Sequence, residues 1–303
     1  MNAIIIIDKP AGWTSHDVVA KLRGALRIKR IGHGGTLDPM ATGVLPIFIG
    51  RATRVSEYIE NSDKEYIAGL KLGIVTDTQD ATGNTLKVSD VNVDTEDLIN
   101  VLPRFLGPQK QIPPMYSAIK MNGRKLYEFA RRGVEVERPA RDIHIDGIEL
   151  LDKEHADIRL FSQSGFMADF ILKIGCSKGT YIRTLCHDIG AALGCGGIMS
   201  SLVRTRAGVF AIKDAHLLDT VLSAIAAGSI DKLTLPIDAI FSAYPSVSLT
   251  EANSRKCMNG VQCYIEDKVN GRYRFYRPDG EFILFGEIKD GKIIAIKRFL
   301  GND

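Results

Sequence analysis

The chain has 303 residues, of which 45% are hydrophobic and 25% are charged, and its formal net charge is +3. Such values are ordinary for a globular protein, so they exclude a disordered chain, and the length favours about two domains. No apolar run reaches the roughly 18 residues that suggest a transmembrane helix, and the five cysteines lack the close pairing of a disulfide framework or a structural zinc site.

The first predicted element is a buried strand at Ala3 to Ile7, which contains four consecutive isoleucines. This run is too short for the hydrophobic region of a signal peptide, and it ends at Asp8, so no secretory signal is expected. Without such a signal, and with cysteines that would stay reduced, the sequence favours a cytoplasmic protein. A turn follows at Lys9 to Gly12.

The next predicted element is an amphipathic helix that Thr14 can cap, together with Asp17 three residues on. The apolar face of this helix carries Val18, Val19, Leu22 and Leu26. A glycine-rich loop comes after it, at Gly32 to Gly35.

The elements from there to residue 193 mix strands and helices without regular alternation. Strands are predicted at Val44 to Ile49, Glu65 to Leu72, 143 to 151, 157 to 162 and 166 to 175, and helices at Thr95 to Leu102, Arg124 to Arg132 and Thr180 to Leu193. This order predicts an α+β protein with a mixed, largely antiparallel central sheet flanked by helices, rather than a doubly wound sheet.

The residues after about 213 form shorter elements. Helical stretches at Ala215 to Ala227 and Pro236 to Phe241 precede a boundary at Tyr244-Pro245-Ser246. Beyond this boundary short strands are separated by the turn signals Asn270-Gly271, Asp279-Gly280 and Asp290-Gly291. The strands are predicted at Val261 to Ile265, Tyr273 to Tyr276, Phe282 to Ile288 and Lys292 to Phe299. A tail made only of short strands predicts a small β-barrel, and hence two domains, 1–243 and 244–303.

Two basic stretches suggest a polyanionic partner. Between Arg104 and Arg141 there are nine basic residues and three acidic ones, and a second cluster lies in a stretch without acidic residues from Val18 to Leu37: Lys21, Arg23, Arg27, Lys29 and Arg30. Such clusters are suited to phosphates, because each phosphate that is neutralised releases counterions. A solvated helix face would give the same pattern, so both interpretations stay open on composition alone.

The loop Gly32-His33-Gly34-Gly35-Thr36-Leu37-Asp38-Pro39 carries the first candidate for chemistry. Its glycines let a ligand approach the backbone, but the phosphate-binding and dinucleotide-binding signatures are missing. The loop presents one carboxylate, Asp38, between Leu37 and Pro39. A nucleophile, a general base and a simple turn residue are all compatible with this spacing.

Two further residues are candidates for the same site. Arg183, in Cys176 to Leu185, lies where a strand gives way to a helix, and could pair with a carboxylate across a sheet. An arginine beside a buried aspartate would keep it ionised and oriented, although a purely structural salt bridge is equally compatible with the spacing. Tyr66 is a candidate aromatic, or else a core residue.

Several segments of the chain, taken in order, closely resemble segments of the bacterial TruB family of tRNA pseudouridine synthases. The agreement runs from residue 4 to about 212. Besides the Asp38 loop, it rests on Lys9-Pro10-Ala11-Gly12-Trp13-Thr14-Ser15, Lys64-Glu65-Tyr66, Leu72-Gly73, Thr76-Asp77-Thr78-Gln79-Asp80, Pro113-Pro114-Met115-Tyr116-Ser117-Ala118-Ile119-Lys120, Cys176 to Gly190 and Leu202-Val203-Arg204-Thr205-Arg206-Ala207-Gly208. The tail resembles a PUA-type RNA-binding barrel more loosely. The resemblance implies the pseudouridine synthase fold with a small C-terminal PUA-like β-barrel.

The resemblance also implies roles for individual residues. Asp38 would be the catalytic carboxylate, Arg183 its partner and Tyr66 the residue against the target base. Leu202 would line the pocket, and His33 would contact RNA near the target nucleotide. Further RNA contacts are expected from Lys9, from Tyr181, and from basic residues of an RNA-gripping insertion at about 110–142, namely Lys120, Arg124, Lys125, Arg131 and Arg132.

The activity that the resemblance implies is isomerisation of uridine 55 in the T loop of tRNA to pseudouridine. The product is an isomer, so no cofactor and no metal are expected. The base must leave its stack, at a cost of roughly a few kcal/mol. The expected partner is the T arm of tRNA, with neither a membrane nor an obligatory protein partner. Whether Asp38 attacks the sugar or carbon 6 of uracil, or assists removal of a ribose proton, stays open.

Two alternatives to this activity remain on the sequence alone. One is a guide-directed or rRNA-modifying relative from the same superfamily. The other is an RNA-binding or RNA-folding protein without catalysis, and assistance with tRNA folding could also accompany catalysis. The compact length and the joint presence of Asp38, Tyr66 and Arg183 favour a stand-alone tRNA enzyme.

Overall fold

The computed structural model of the chain describes residues 1–117, 119–121, 123–152, 168–266 and 268–299. The strand predicted at 157 to 162 lies outside the described residues. No helix in the described ranges has the length and apolar character needed to cross a membrane.

The part of the chain up to residue 241 contains most of the secondary structure. Its strands are β1 (Ala3–Lys9), β2 (Ile31–His33), β3 (Thr42–Ile49), β4 (Lys64–Leu72), β5 (Ile74–Thr76), β6 (Thr85–Val88), β7 (Gly107–Gln111), β8 (Lys120–Met121), β9 (Arg124–Lys125), β10 (Arg141–Leu151), β11 (Phe170–Cys176), β12 (Gly197–Ala207), β13 (Phe210–Ala211) and β14 (His216–Leu217). Its helices are α1 (Ser15–Leu26), α2 (Ser56–Glu60), α3 (Thr95–Val101), α4 (Leu126–Ala130), α5 (Ile182–Ala192) and α6 (Leu218–Ala226), with short 3₁₀ turns between them.

Among the described residues, one mixed sheet of ten strands dominates this part, with the order β14-β1-β3-β12-β4-β11-β10-β7; in addition, β2 pairs with β3 and β13 with β12. Most neighbouring strands are antiparallel, while β1 with β14 and β3 with β12 are parallel. Helices α1 and α5 supply apolar side chains to the core on one face of the sheet. The predicted α+β class, with its largely antiparallel central sheet, is confirmed.

Local signals account for the helix starts that were predicted correctly. Thr14 caps α1 and Asp94 caps α3, each in a capping box with an aspartate three residues on. In both boxes the side chain of the capping residue accepts from a backbone N–H that would otherwise lack a partner.

The prediction differs from the structure in several places. The helix predicted at Arg124 to Arg132 is shorter, since α4 spans Leu126–Ala130 and Arg124–Lys125 form β9 instead. Gly123, with φ of 80°, turns the chain between β8 and β9. Strand β12 was not predicted, although it lies at the centre of the sheet. It is buried on both faces over most of its length, so it lacks the alternation that marks a half-buried strand.

The C-terminal part forms a second sheet of five strands, in the order β15-β17-β18-β19-β16. Its elements are β15 (Ser246–Ser248), α7 (Glu251–Met258), β16 (Cys263–Tyr264), β17 (Gly271–Tyr276), β18 (Phe282–Lys289) and β19 (Lys292–Arg298). The prediction of a tail made only of strands is therefore wrong at α7. That helix buries little more than Ser254 and Cys257, so its sequence has no pronounced apolar face, and Thr250 at its cap is the remaining signal.

Aromatic side chains pack the second sheet against the first part of the chain. The rings of Phe241 and Phe285 stack with centroids 4.1 Å apart, and Phe299 lies in the same cluster. Asp238 accepts from the hydroxyl of Tyr276 at 2.6 Å and pairs with Arg274 at 3.2 Å. The second sheet is thus docked firmly, while a domain boundary at residue 244 stays a prediction.

Candidate active site

The Asp38 loop joins β2 to β3 and is fastened to the first helix. Ser15, the first residue of α1, accepts from Leu37 N at 2.9 Å and donates to Leu37 O at 3.3 Å. On the other side of the carboxylate, Pro39 O accepts from Gly12 N at 2.8 Å. The residues on both sides of Asp38 are therefore held by the neighbouring backbone.

Position 43, in β3 just after this loop, requires a glycine. Its φ is 95°, and a Cβ built there would lie 2.3 Å from the backbone oxygen of Arg204. Any larger residue would push β12 away from β3, at the place where the two strands pair. Glycine is thus required both by conformation and by the close approach of another backbone.

Arg183 meets Asp38 in a two-point contact. Its Nε lies 3.0 Å from Asp38 Oδ2, and its Nη2 donates to Oδ1 at 3.4 Å. The arginine side chain is only 5% exposed, whereas 36% of the Asp38 side chain is accessible. The second residue of α5 thus holds a carboxylate whose outer side is open to a substrate.

Arg183 also pairs with a second carboxylate, Asp80, at 3.4 Å. Asp80 lies in the turn after β5 and is itself held by the hydroxyl of Thr78 at 2.7 Å. A further bond joins Arg183 Nη2 to Tyr116 O, in the predicted RNA-gripping insertion, at 2.9 Å. Asp80 was not predicted as a site residue, although it belongs to the motif Thr76 to Asp80, which could have indicated it.

Desolvation raises the pKa of Asp38 above its ordinary value of 3.8, Arg183 and Lys9 oppose that rise, and Asp80 adds to it. The expectation that Arg183 holds the pKa of Asp38 low is therefore wrong in its net direction. The physical reason is that burial withdraws the carboxyl of Asp38 from water and that the like charge of Asp80 adds to this effect, so that together they outweigh Arg183 and Lys9.

Tyr66 and Leu202 lie on adjacent strands of the same site. Tyr66, on β4, is partly buried. Burial raises the pKa of its phenol, and the negative charge of the Asp38 carboxylate also raises it. Leu202, on β12, is 5% exposed and belongs to the main core, paired in register with Ala68 of β4. Their roles against a base stay predictions.

Lys9 was expected to contact RNA, but its side chain lies inside the protein. Its side chain is fully buried, and its ammonium donates to the carbonyl oxygens of Pro10, Trp13 and Pro39 at 2.6 to 3.1 Å. Burial lowers its pKa to about 8, while Asp38 opposes that change. We interpret Lys9 as a clamp on the Asp38 loop, because its charge is turned inwards.

His33 ends β2, at the start of the glycine-rich loop, with its ring edge-on to that of His16 at 5.4 Å. Burial, then the neighbouring charges of His16 and Arg204, lower its pKa to about 4. The imidazole is therefore neutral at physiological pH. An RNA contact by His33 would use hydrogen bonding or packing rather than charge.

Two family sequence models match the chain: TruB family pseudouridylate synthase (N terminal domain) over residues 23–182, and tRNA pseudouridylate synthase B C-terminal domain over residues 183–242. The chain belongs to the TruB family of pseudouridylate synthases. Similar curated proteins carry the name tRNA pseudouridine synthase B. One from Pseudomonas putida is 41% identical over 307 residues, covering 100% of this chain and 97% of that protein. One from Bacillus subtilis is 42% identical over 263 residues, covering 86% and 83%.

Solved structures agree with this membership. A crystal structure of a Cbf5–Nop10–Gar1 complex matches with a TM-score of 0.70 and 26% identity, over 98% of this chain and 85% of that chain. An H/ACA RNP bound to a substrate RNA containing 2'-deoxyuridine also reaches a TM-score of 0.70, at 24% identity over 99% and 86%, and shows the fold alone. The TruB-family chain thus has the pseudouridine synthase fold, with a PUA-like C-terminal sheet.

The insertion of this TruB-family chain joins the site through Tyr181, which precedes α5. Gln111 holds the backbone of Tyr181 from both sides, donating to its oxygen at 3.0 Å and accepting from its nitrogen at 2.8 Å. Burial raises the pKa of the Tyr181 phenol. The base of the insertion is therefore fastened one residue away from the helix that carries Arg183.

The basic residues predicted to bind RNA lie on the hairpin β8–β9 and directly after α4. Exposed side chains belong to Lys120, Arg124, Arg131 and Arg132. Lys125 is partly buried, and its ammonium lies over the ring of Tyr127 at 5.5 Å, with Arg131 over the same ring at 5.2 Å. The hairpin thus presents a surface of positive charge, and its contact with RNA stays a prediction.

Proposed function

We propose that this chain isomerises uridine 55 in the T loop of tRNA to pseudouridine. The observation that carries the proposal is the pair of Asp38 and Arg183 beside Tyr66, with an N–O distance of 3.0 Å and an accessible carboxylate. The relatives from Pseudomonas putida and Bacillus subtilis bear the name tRNA pseudouridine synthase B and support tRNA as the substrate.

The isomerisation needs few catalytic groups. The bond from uracil nitrogen 1 to the ribose breaks, the base turns, and carbon 5 forms the new bond to the ribose. Carbon 5 loses its proton to solvent and nitrogen 1 takes up a proton, so the product is an isomer. No net oxidation occurs. A hairpin-loop uridine suits such an enzyme, because the cost of unstacking a base is smallest where the base is already poorly stacked.

Asp38 acts in the ionised form, and the two-point contact with Arg183 fixes the direction of its oxygens. The attack takes place at the sugar or at carbon 6 of uracil, or else Asp38 assists removal of a ribose proton. Tyr66 stacks on the extruded base, an interaction worth roughly 1–3 kcal/mol. Leu202 closes the opposite wall of the base pocket.

The T arm is held by the insertion at 110–142, through Lys120, Arg124, Lys125, Arg131 and Arg132. The division into a catalytic domain, 1–243, and a PUA-like RNA-binding domain, 244–303, belongs to the same proposal. So does a cytoplasmic location, which suits a tRNA substrate and five free cysteines. Binding of this kind also allows the protein to assist tRNA folding.

A guide-directed relative is the leading alternative within the superfamily. The matching Cbf5 structure was solved together with Nop10 and Gar1, but it shares only 26% of its aligned residues with this chain. The relatives named tRNA pseudouridine synthase B share 41% or 42%. The stand-alone tRNA enzyme is therefore the better supported activity.

The test uses the purified full chain and tRNA that carries tritium at carbon 5 of uridine. We expect tritium release, and chemical mapping that finds pseudouridine at position 55. Tight binding without release would favour the RNA-binding alternative, and release without modification at position 55 would refute the proposed site.

Asp38→Asn serves as the matching loss-of-function variant. It removes the charge with little change in volume, so we expect isomerisation to be abolished and tRNA binding to persist. Asp219→Asn, an exposed substitution on α6, is the control and should behave like the native chain. Pseudouridine in tRNA treated with the Asp38→Asn protein would overturn the assignment of Asp38.

A further inference from the structure

A second arginine, Arg204, lies in the site between the two elements that carry Tyr66 and Asp38. It is only 1% exposed, and it is among the largest fully buried side chains of the protein. On β12 its Cα pairs directly with Tyr66 of β4 on one side and with Gly43 of β3 on the other. The register of the sheet thus fixes where this cation lies.

The guanidinium of Arg204 fastens both ends of the Asp38 loop. Nε donates to Val44 O at 2.8 Å, and Nη2 donates to Gly35 O at 3.1 Å. One of these carbonyls precedes Asp38 and the other follows it. The positive charge of the guanidinium also acts on the phenol of Tyr66, the residue that pairs with Arg204 in the register of β12 and β4.

These bonds are made to carbonyl oxygens, which are neutral groups, and the neighbouring phenol of Tyr66 is neutral as well. Burying a cation among neutral partners costs free energy, and an apolar side chain in this place would avoid that cost. The charge is effective at a distance, since it contributes to the lowered pKa of Lys9 and of His33. A role in folding alone explains the bonds to the loop, but not why a charged group is aimed at the phenol.

We propose that Arg204 is a positioning residue of the synthase site, which holds the Tyr66 phenol oxygen as a hydrogen-bond acceptor at a fixed place relative to the Asp38 loop. The hydroxyl hydrogen of Tyr66 is then directed away from Arg204, towards the space where the flipped base stacks. The proposal rests on the proposed function for the identity of that base. The bond between Arg204 and Tyr66 does not depend on it.

The electrostatics of Tyr66 agree with this arrangement. Burial raises the pKa of its phenol, and the positive charge of Arg204 is the strongest influence that lowers it. The thiol of Cys176 and the carboxylate of Asp38 face the same phenol and raise its pKa. Arg204 is thus the group that makes the Tyr66 hydroxyl more polar.

The first measurement is a spectroscopic one on the full chain labelled with ¹³C at the ζ carbon of tyrosine. Tyr66→Phe identifies the signal of Tyr66. We expect Arg204→Gln to move that signal at neutral pH, and Arg204→Lys to move it less, because lysine keeps the charge but not the planar fork. Arg206→Gln, two residues along the same strand and partly exposed, is the matched control and should leave it in place.

The second measurement is the single-turnover rate of isomerisation at saturating tRNA. Arg204→Lys should slow the native chain about tenfold or more, since a hydrogen bond to a charged group is lost. The same substitution in the Tyr66→Phe chain should have a clearly smaller effect, because the hydroxyl through which Arg204 acts is already gone. Affinity for tRNA should be unchanged.

An unmoved Tyr66 signal in Arg204→Gln and Arg204→Lys overturns the proposal. So does a loss of rate on Arg204→Lys that is equally large in the native chain and in the Tyr66→Phe chain. If Arg204→Gln does not fold, Arg204→Lys carries both measurements. If the native chain does not modify tRNA, the proposed function fails, while the carbon signal still decides whether Arg204 positions Tyr66.

Discussion

Asp38 and Asp80 share one guanidinium. Arg183 lies 3.0 Å from Asp38 Oδ2 through Nε and 3.4 Å from Asp80 Oδ2 through Nη1. Asp80 is buried and is held by the hydroxyls of Thr78 and Thr82 at 2.7 and 2.6 Å. Asp80 therefore helps to orient Arg183, and its negative charge at the same time raises the pKa of Asp38.

The first prediction concerns Asp80→Asn and the pH dependence of isomerisation. The pKa of Asp38 is raised, so its ionised form is lost on acidification at a higher pH than that of an ordinary aspartate. Removing the like charge of Asp80 lowers the pKa of Asp38. In a plot of rate against pH, the acid limb, where the rate falls on acidification, should therefore move to lower pH. The rate on the plateau should fall about tenfold, because Arg183 loses a charged anchor.

Single-turnover rates across the acid limb measure this shift. Asp77→Asn is the matched control, since Asp77 lies in the same turn but accepts from Asn84. It should keep the native acid limb. A limb that stays in place or moves to higher pH in Asp80→Asn would show that Asp80 does not tune Asp38.

Much of the fold was accessible from local sequence. Thr14 and Asp94 reveal helix starts because their side chains bond to backbone groups three residues away. Strand β12 was missed because burial on both faces removes the alternating pattern, and α7 was missed because it buries almost no apolar surface. Both failures concern elements whose identity is decided by what packs on them.

The site shows the same division. Asp38, Tyr66 and Arg183 were named from their motifs. The partnership of Arg183 with Asp80, and of Arg204 with Tyr66, depends on a turn folding over α5 and on the register of β4 with β12. The spacing of residues along the chain does not predict which of these side chains will pair. Lys9 was expected to bind RNA because a motif shows a residue type but not the direction of its side chain.

The second prediction concerns His33 and stability in acid. Its pKa is about 4 in the folded protein and 6.5 as the ordinary value, so the unfolded chain binds more protons between these values. Stability that His33 contributes is fully present above about pH 6.5 and is lost as the pH falls towards 4. Urea unfolding of the native chain and of His33→Gln near pH 7 and near pH 5 should show a smaller acid loss in the variant. Equal losses would contradict a buried neutral imidazole.

The third prediction concerns the charged surface of the insertion. Replacing Arg124, Lys125, Arg131 and Arg132 by glutamine should weaken tRNA binding. The slope of log affinity against log salt should become shallower by roughly 0.7 to 0.9 for each phosphate that the variant no longer neutralises. The rate at saturating tRNA should change little, since the variant keeps Asp38 and its ion pair with Arg183.

Lys213 and Lys232 provide the control for this surface, because both are exposed and lie outside the insertion. Their replacement by glutamine changes the net charge without touching the hairpin. An unchanged salt slope in the insertion variant, or an equal change in the control, would mean that the hairpin does not grip the T arm.

The last prediction separates the two tasks of Tyr66. Tyr66→Phe keeps the ring, so base stacking should persist, whereas Tyr66→Leu loses an interaction worth roughly 1–3 kcal/mol. Single-turnover rates at saturating tRNA should fall in both variants and further in Tyr66→Leu. If Tyr66→Phe keeps the native rate, the hydroxyl takes no part in isomerisation, and the bond from Arg204 serves the packing of β4 and β12 alone. A loss in Tyr66→Phe with unchanged tRNA affinity would instead assign the hydroxyl to a step that follows binding.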